Sequence, residues 1–205
     1  MKLYEMAMAP NPRRVRMFLA EKGLLEQVER VEMDLQKGDN LTPEFIAKNP
    51  LKKVPVLELD DGTCIAETMA ICRYFEEQFS DTENLLGTNA KESAEIEQWQ
   101  RWLEFYFFLP TGMAFQHLSG YFKDRMTTNE AWGNECRTNV EKFMHFFNKK
   151  LEGKTWVCAN RFTAADITAF CTLEFARVLQ IRIQPEQTNL QAWFERMQSR
   201  SSANA

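Results

Sequence analysis

The sequence predicts two domains of different class: a small α/β domain of order β-α-β-α-β-β-α, and after it an all-helical bundle. Three observations carry this. Short apolar strand patterns interleave with helical patterns over the first eighty residues. A polar stretch, SDTENLLGTNA, follows them. Beyond it, apolar residues recur only at helical spacing. The boundaries read as 1–80 for the α/β domain, 81–90 for a linker and 91–205 for the helical domain, which suits a length of 205 residues.

Within the first domain, residues 1–4 form a short strand. Pro10 and Pro12 open a helix through about Lys22, its apolar face being Val15, Phe18 and Leu19, and Gly23 stops it. A second strand covers Glu29–Asp34. Thr42, Pro43 and Glu44 start a second helix with proline in its first turn, ending before Pro50. Val56–Leu59 is a strand, Asp61-Gly62 a tight hairpin turn and Thr63–Ala66 the return strand. The last helix runs from about Glu67 to Phe79, with Ile71, Tyr74, Phe75 and Phe79 inward. In the second domain one stripe holds Trp99, Trp102, Leu103, Tyr106 and Phe107 and breaks near Pro110 and Gly112. A second holds Val140, Phe143, Met144, Phe147 and Leu151. A third holds Ile167, Phe170, Cys171, Phe175, Val178 and Leu179, and a short fourth holds Leu190, Trp193, Phe194 and Met197. Ahead of the third, Thr163 and Asp166 form a capping box, with Phe162 and Ile167 placed as a hydrophobic staple.

Composition narrows the function classes. With 44% apolar and 12% aromatic residues, the chain has ample core material, which excludes disorder as its main state. Its 25 basic and 29 acidic residues, net charge -4, suit nucleic-acid backbones poorly. No run of eighteen apolar residues occurs, and the first residues lack the apolar core of a signal peptide, so a cytoplasmic protein is expected. Five cysteines (Cys64, Cys72, Cys136, Cys158 and Cys171) sit at wide spacing without a C-x-x-C pair. They read as small buried thiols in a reducing compartment. Two histidines, His117 and His145, offer no zinc-ligand spacing, and no metal is expected.

Three local features coincide in the α/β half. Val54-Pro55 precedes a strand, where a proline could be cis. Glu67-Thr68 starts a helix, where free backbone amides favour an anion. Pro10-Asn11-Pro12 starts the first helix directly after strand one. Together with the helical second half and the capping box, these resemble the cytosolic glutathione S-transferases over nearly the whole chain. The stretch VPVLELDDGTCIAETMAICRYFEE is the most specific part. APNPRRVRMFLAEKG with KKVPVLELDDG is most similar to a bacterial and fungal branch with Ala or Gly at the start of helix one.

The resemblance implies a thioredoxin-like N-terminal domain, a homodimer, and glutathione as co-substrate for attack on a small hydrophobic electrophile. It implies that Val54, before a cis Pro55, pairs its backbone with the cysteinyl part of glutathione. Thr68 would take the γ-glutamyl carboxylate and Glu67 the ammonium. Lys53, Lys52 and Lys37 would meet the glycyl carboxylate, although each also reads as solvated surface. Met8, with Phe105, Phe108, Met113 and Phe115 from the helical half, would line an apolar acceptor site, although aromatic stripes at helical spacing also read as core.

Activation of the sulfur is the harder question. A free thiol is only about 3% thiolate at pH 7, and lowering its pKa by about two units, near 2.7 kcal/mol, raises this to about three-quarters. The usual Tyr, Ser or Cys is absent from the window Met6–Pro12, where Ala9 stands in place of a Ser. Two readings stay open. Asn11 donates its side-chain amide to the sulfur, or backbone amides near Ala9–Asn11 act with a water held by His117, with Ser119 and Gln116 as weaker candidates. The absence of a Cys there excludes dithiol chemistry. Two rival functions remain: a non-catalytic binding or scaffold member of the family, and a glutathione-dependent peroxidase, isomerase or reductive-cleavage enzyme.

Overall fold

The computed structural model describes all of residues 1–205. The chain divides into two compact units. One comprises Met1–Leu85 together with Ser201–Ala205, the other Leu86–Arg200.

The first unit holds β1 (Lys2–Glu5), α1 (Pro10–Glu21), β2 (Glu29–Glu32), α2 (Pro43–Lys48), β3 (Val56–Glu58), β4 (Cys64–Ala66) and α3 (Thr68–Gln78). This is the expected β-α-β-α-β-β-α order. The strands form one sheet in the order β2-β1-β3-β4, with β1 parallel to β2 and β3 antiparallel to both β1 and β4. Gly62, at φ +86°, supplies the left-handed turn between β3 and β4. Alternation along the strands sends side chains to two faces. Leu3 and Leu57 are fully buried, as are Val15 and Leu19 of α1 and Ile71 of α3, and α1 packs against α3. A second cluster joins Val56 and Val54 to Met33 and to Phe45 of α2, with Tyr4 and Met6 packed against it. The inward face of α3 is less even than its periodicity predicts: Ile71 and Phe75 are buried, Tyr74 and Phe79 only half-buried.

The register positions one end of the sheet. Tyr4 pairs with Val56, and Val56 with Ala66. The residues that follow Tyr4, precede Val56 and follow Ala66 therefore emerge together. These are the loop into α1, Val54-Pro55, and Glu67-Thr68.

The stretch read as a linker is partly core. Leu85 and Leu86 are buried. Lys22, itself buried, pairs with Glu76 at 3.1 Å and donates to the Glu83 carbonyl at 2.8 Å, while the Leu85 N–H donates to Glu76 at 3.1 Å. Two leucines in a polar run give no periodicity, so their burial is decided by tertiary contacts. The last five residues, expected with the helical domain, return to α1: Arg13 donates to the Ala203 carbonyl at 2.8 Å, and Ser202 donates to Glu21.

The second unit is all helical: α4 (Ala90–Leu103), α5 (Leu109–Leu118), α6 (Glu130–Lys150), α7 (Ala164–Ala176) and α8 (Thr188–Gln198). The break expected near Pro110 does not occur. A π-helical turn at Glu104–Phe108 joins α4 to α5 without interruption, and the Leu109 N–H donates to the Glu104 carbonyl five residues back. A regular turn would drive the Pro110 ring into the carbonyl four residues earlier, and the wider turn relieves that clash. The extra residue rotates the stripe, leaving Tyr106 exposed while Phe107 stays buried. Val178 is likewise exposed, lying in the short turn after α7. The other stripe residues of α6 and α8, and Leu151, are buried. From Ala164 to Leu173 every residue of α7 is buried, which makes it the central helix of this unit.

The capping box starts α7. Thr163 Oγ1 accepts from the Ala165 N–H at 3.3 Å, and Asp166 accepts from the Thr163 N–H at 3.0 Å. Phe162 and Ile167 are buried in the staple positions. Asp166 does more than cap. Wholly buried, it also accepts from the Val157 N–H at 3.0 Å and from Trp193 Nε1 of α8 at 2.9 Å. Burial pushes its carboxyl up to about 6, against the opposing pull of these hydrogen bonds.

Asp166→Ala leaves three buried N–H donors without an acceptor, so a loss of about 3 kcal/mol is expected in denaturant unfolding. The folded carboxyl binds its proton more tightly than the unfolded one. The stability Asp166 adds over Asp166→Ala is therefore greatest below about pH 4 and declines as the pH rises through about 6. Denaturation midpoints of the two proteins across this range check the sign.

Candidate functional site

The two helices that start at the common end of the sheet begin differently from most others. α2, α4, α6 and α7 are each capped by a side chain, from Thr42, Asn89, Asn129 and Thr163. α1 and α3 have no side-chain cap, and neither have α5, which continues from the π-helical turn, and α8. Neither α1 nor α3 carries an acidic residue in its first turn. No side chain hydrogen-bonds the orphan N–H groups at either start.

At α3, Glu67 takes φ +73° and ψ 124°, a backbone conformation that side chains rarely adopt. Its carboxylate is exposed and makes no hydrogen bond or ion pair within the chain. Thr68 is buried, and its hydroxyl is likewise without a partner. The Val54–Pro55 peptide bond is cis. Val54 is 9% exposed, and no backbone hydrogen bond within the chain occupies its N–H or C=O. A backbone with open donor and acceptor next to a strand can take an extended peptide.

Lys52 and Lys53 sit on a loop pinned by two asparagines. Asn40 Nδ2 donates to the Lys52 carbonyl at 2.8 Å, and Asn49 Nδ2 to the Lys53 carbonyl at 2.8 Å. Lys52 has φ +58°. Both ammonium groups are free of ion pairs, but Lys37 is not: its Nζ lies 3.1 Å from Asp34.

At α1 the backbone amides are fewer than expected. Pro10 and Pro12 have none, and the Ala9 N–H donates to the Met6 carbonyl at 2.9 Å. Asn11 supplies the one open backbone N–H of positions 9–12, and its side chain lies half-buried there. The preceding loop is held at both ends of one residue. The Ala7 N–H donates to both carboxylate oxygens of Glu32, at 3.0 and 3.1 Å. Its carbonyl accepts from Arg16 at 2.8 Å, and Arg16 pairs with buried Glu5. Tyr4 is committed elsewhere. Its hydroxyl donates to Glu58 at 2.6 Å, and that bond, with burial, raises its pKa.

In the helical unit, His117 Nδ1 accepts from the Asn129 N–H at 3.0 Å, the residue that caps α6. The free nitrogen of the neutral ring is then Nε2, a donor. Gly133 makes room for this contact, because a Cβ there would lie 2.7 Å from Leu118 and 3.0 Å from the His117 Cβ. Phe108 and Phe115 come together on Phe175, at 6.3 and 5.2 Å between ring centroids, and Phe115 also meets Tyr121 and Phe122. Phe105 does not join them. It is 54% exposed and lies under the Arg101 guanidinium, turned away by the π-helical turn. Met113 is half-buried, and Met8, in the first unit, is 87% exposed. Phe175, a core-stripe residue by its helical spacing, and Tyr121, which no periodicity marks, join this cluster.

Comparison with known proteins fits this geometry. Residues 9–78 match the glutathione S-transferase N-terminal domain and residues 105–201 the C-terminal domain. The chain belongs to the glutathione S-transferase family. It is 36% identical over 204 residues to glutathione S-transferase 2 of Saccharomyces cerevisiae, covering 98% of this chain and 87% of that protein. The crystal structure of Gtt2 from Saccharomyces cerevisiae superposes with a TM-score of 0.94 at 36% identity, covering 100% of this chain and 99% of that one. A glutathione S-transferase domain-containing protein of Marinobacter aquaeolei also gives 0.94 at 37% identity, over 98% of this chain and 99% of that one. The α/β half is thus the thioredoxin-like domain of this family. The reaction class is that of a glutathione transferase, with glutathione as co-substrate.

His117→Ala leaves the Asn129 N–H at the start of α6 without its acceptor. Thermal unfolding is expected to show a loss of about 1 kcal/mol, with glutathione binding intact.

Proposed function

We propose that glutathione docks along the common end of the sheet, and that its sulfur is held as an anion by Asn11 for attack on an apolar electrophile. The observation that supports this is the set of open groups the register brings to one end: the backbone of Val54, the uncapped start of α3 with Thr68 and Glu67, and Asn11 at the start of α1. Glutathione has a matching set, with two carboxylates, an ammonium, an amide backbone and a thiol.

In this reading the cysteinyl backbone pairs with Val54 as a short added strand, beside the cis Pro55. The γ-glutamyl carboxylate takes the Thr68 N–H and hydroxyl with the help of the helix field, and the ammonium takes Glu67. The glycyl carboxylate meets Lys53 and Lys52. Lys37 is the weakest of the three, because binding must first release it from Asp34. Asn11 offers its backbone N–H and its Nδ2 to the sulfur. The thiolate then forms a carbon–sulfur bond, either with departure of a leaving group or with protonation of the carbon beyond the attacked one. Stabilising the thiolate and fixing its position supply the rate. In the helical unit, Phe108, Met113 and Phe115 are the residues we assign to the electrophile's site, and Phe105, turned out beneath Arg101, is not among them. Of these, Phe108 and Phe115 have the best support, from their shared aromatic cluster.

A water held by His117 is the second reading of thiol activation. His117 Nδ1 is engaged by Asn129, so only Nε2–H remains for it. We further propose a cytoplasmic homodimer. No helix is long and apolar enough to cross a membrane.

Retention on immobilised glutathione, followed by turnover with a model aryl halide and a hydroperoxide, tests the function. Turnover of the halide supports a transferase, turnover of the hydroperoxide alone a peroxidase, and binding without turnover the scaffold alternative. Glu67→Gln is expected to raise KM for glutathione about tenfold with little change in kcat, through loss of a charge-assisted hydrogen bond. Asn11→Ala is expected to raise the pH at which bound glutathione ionises, read by ultraviolet titration of the thiolate. His117→Ala leaves that pH unchanged if Asn11 is the activator.

A further inference from the structure

The Asn11 carboxamide has one oxygen and one nitrogen of nearly equal size, and only the nitrogen can stabilise an anion. Turned the wrong way, the side chain would aim lone pairs at the sulfur and oppose its ionisation. Something must choose between the two orientations. Three residues on, Arg14 is buried, with 3% of its surface exposed, and its Nη1 donates to Asn11 Oδ1 at 3.0 Å. A guanidinium has five N–H donors and no acceptor. Only the oxygen of the carboxamide can face it, so the two Nδ2 protons point the other way. These two protons make no hydrogen bond within the chain.

The charged groups around this helix start are engaged elsewhere. Arg16 pairs with Glu5 and holds the Ala7 carbonyl, Glu32 accepts from the Ala7 N–H, and Arg13 donates to the Ala203 carbonyl. With Pro10 and Pro12 unable to donate and the Ala9 N–H engaged by the Met6 carbonyl, the open donors of positions 9–12 are those of Asn11, its backbone N–H and its Nδ2.

We propose that Arg14 is a positioning residue for thiol activation: it acts through Asn11 by locking the carboxamide with its nitrogen outward. This rests on the reading of Asn11 as the sulfur's donor. Arg14 also carries a positive charge, which could lower the thiol's pKa directly, and the test separates the two routes.

The test is ultraviolet titration of bound glutathione in the full chain, with binding and circular dichroism measured alongside. The variants are Asn11→Ala, Arg14→Gln, Arg14→Lys and the double variant Asn11→Ala/Arg14→Gln. Glutamine can present either a donor or an acceptor to Asn11, so Arg14→Gln is expected to raise the ionisation midpoint by about one pH unit, close to the effect of Asn11→Ala. Lysine offers donors only and keeps the charge, so Arg14→Lys is expected to stay near the wild-type midpoint. The double variant is expected to shift no further than Asn11→Ala alone, because the two residues act as one unit. Additive shifts would mean that Arg14 acts by its own charge, which overturns the proposal. So would an unmoved midpoint in Arg14→Gln when Asn11→Ala is displaced, an outcome that leaves the Asn11 reading intact. An unmoved midpoint in Asn11→Ala with glutathione still bound removes the Asn11 reading, and the proposal with it. If Arg14→Gln does not fold, Arg14→Lys decides: a displacement as large as that of Asn11→Ala overturns the proposal.

Discussion

A backbone N–H removed from water needs an acceptor, and this requirement organises the chain. Where the chain supplies the acceptor itself, the structure is closed. Asp166 serves three N–H donors at once, tying the start of α7 to Val157 and to Trp193 of α8. His117 serves the start of α6. Thr42 and Asn89 do the same for α2 and α4. No side chain caps α1, α3, α5 or α8, and Val54 makes no backbone hydrogen bond; in our reading the open groups at α1, α3 and Val54, which the sheet brings to one end, take a molecule that brings its own acceptors. Glutathione brings two carboxylates and a sulfur that can become an anion.

The open positions depend on rigid surroundings. Glu32 and Arg16 grip Ala7 from its two polar ends, so the loop into α1 is not free to fold back and satisfy the helix start. Asn40 and Asn49 hold the carbonyls of the two-lysine loop. Glu67 keeps an unfavourable φ at the entry to α3, a conformation that persists only where neighbouring structure over-determines it. In our reading these contacts prepare a site in advance, so that less binding energy is lost in ordering it.

The helical unit shows the same economy around a defect. Pro110 cannot sit in a regular helix interior, and the chain widens one turn instead of stopping. The added residue moves Phe105 and Tyr106 outward while Phe107 stays in the core and Phe108 reaches Phe175. A proline therefore decides which of these aromatics stand exposed and which are consumed by packing.

Local chemistry made much of this legible from sequence. Proline and glycine positions mark helix starts and turns, so the order of elements in the α/β half follows from Pro10, Thr42-Pro43, Asp61-Gly62 and Gly23. Thr163 and Asp166 announce their capping box at a spacing of three. The stretch from Val54 to Glu77 identifies the family, because its motif residues are contiguous. What only the tertiary structure decided involves residues far apart in sequence or groups that look alike in it. Examples are the burial of Leu85 and Leu86, the return of Ser202 and Ala203 to α1 and the extra partners of Asp166. The uncapped state of α1 and α3 belongs here too, since a missing partner is visible only when every candidate has been placed. The physical reason is common to all of them: helix and turn signals arise within a few residues of chain, whereas burial and hydrogen-bond partnership are settled by the neighbours that folding brings in.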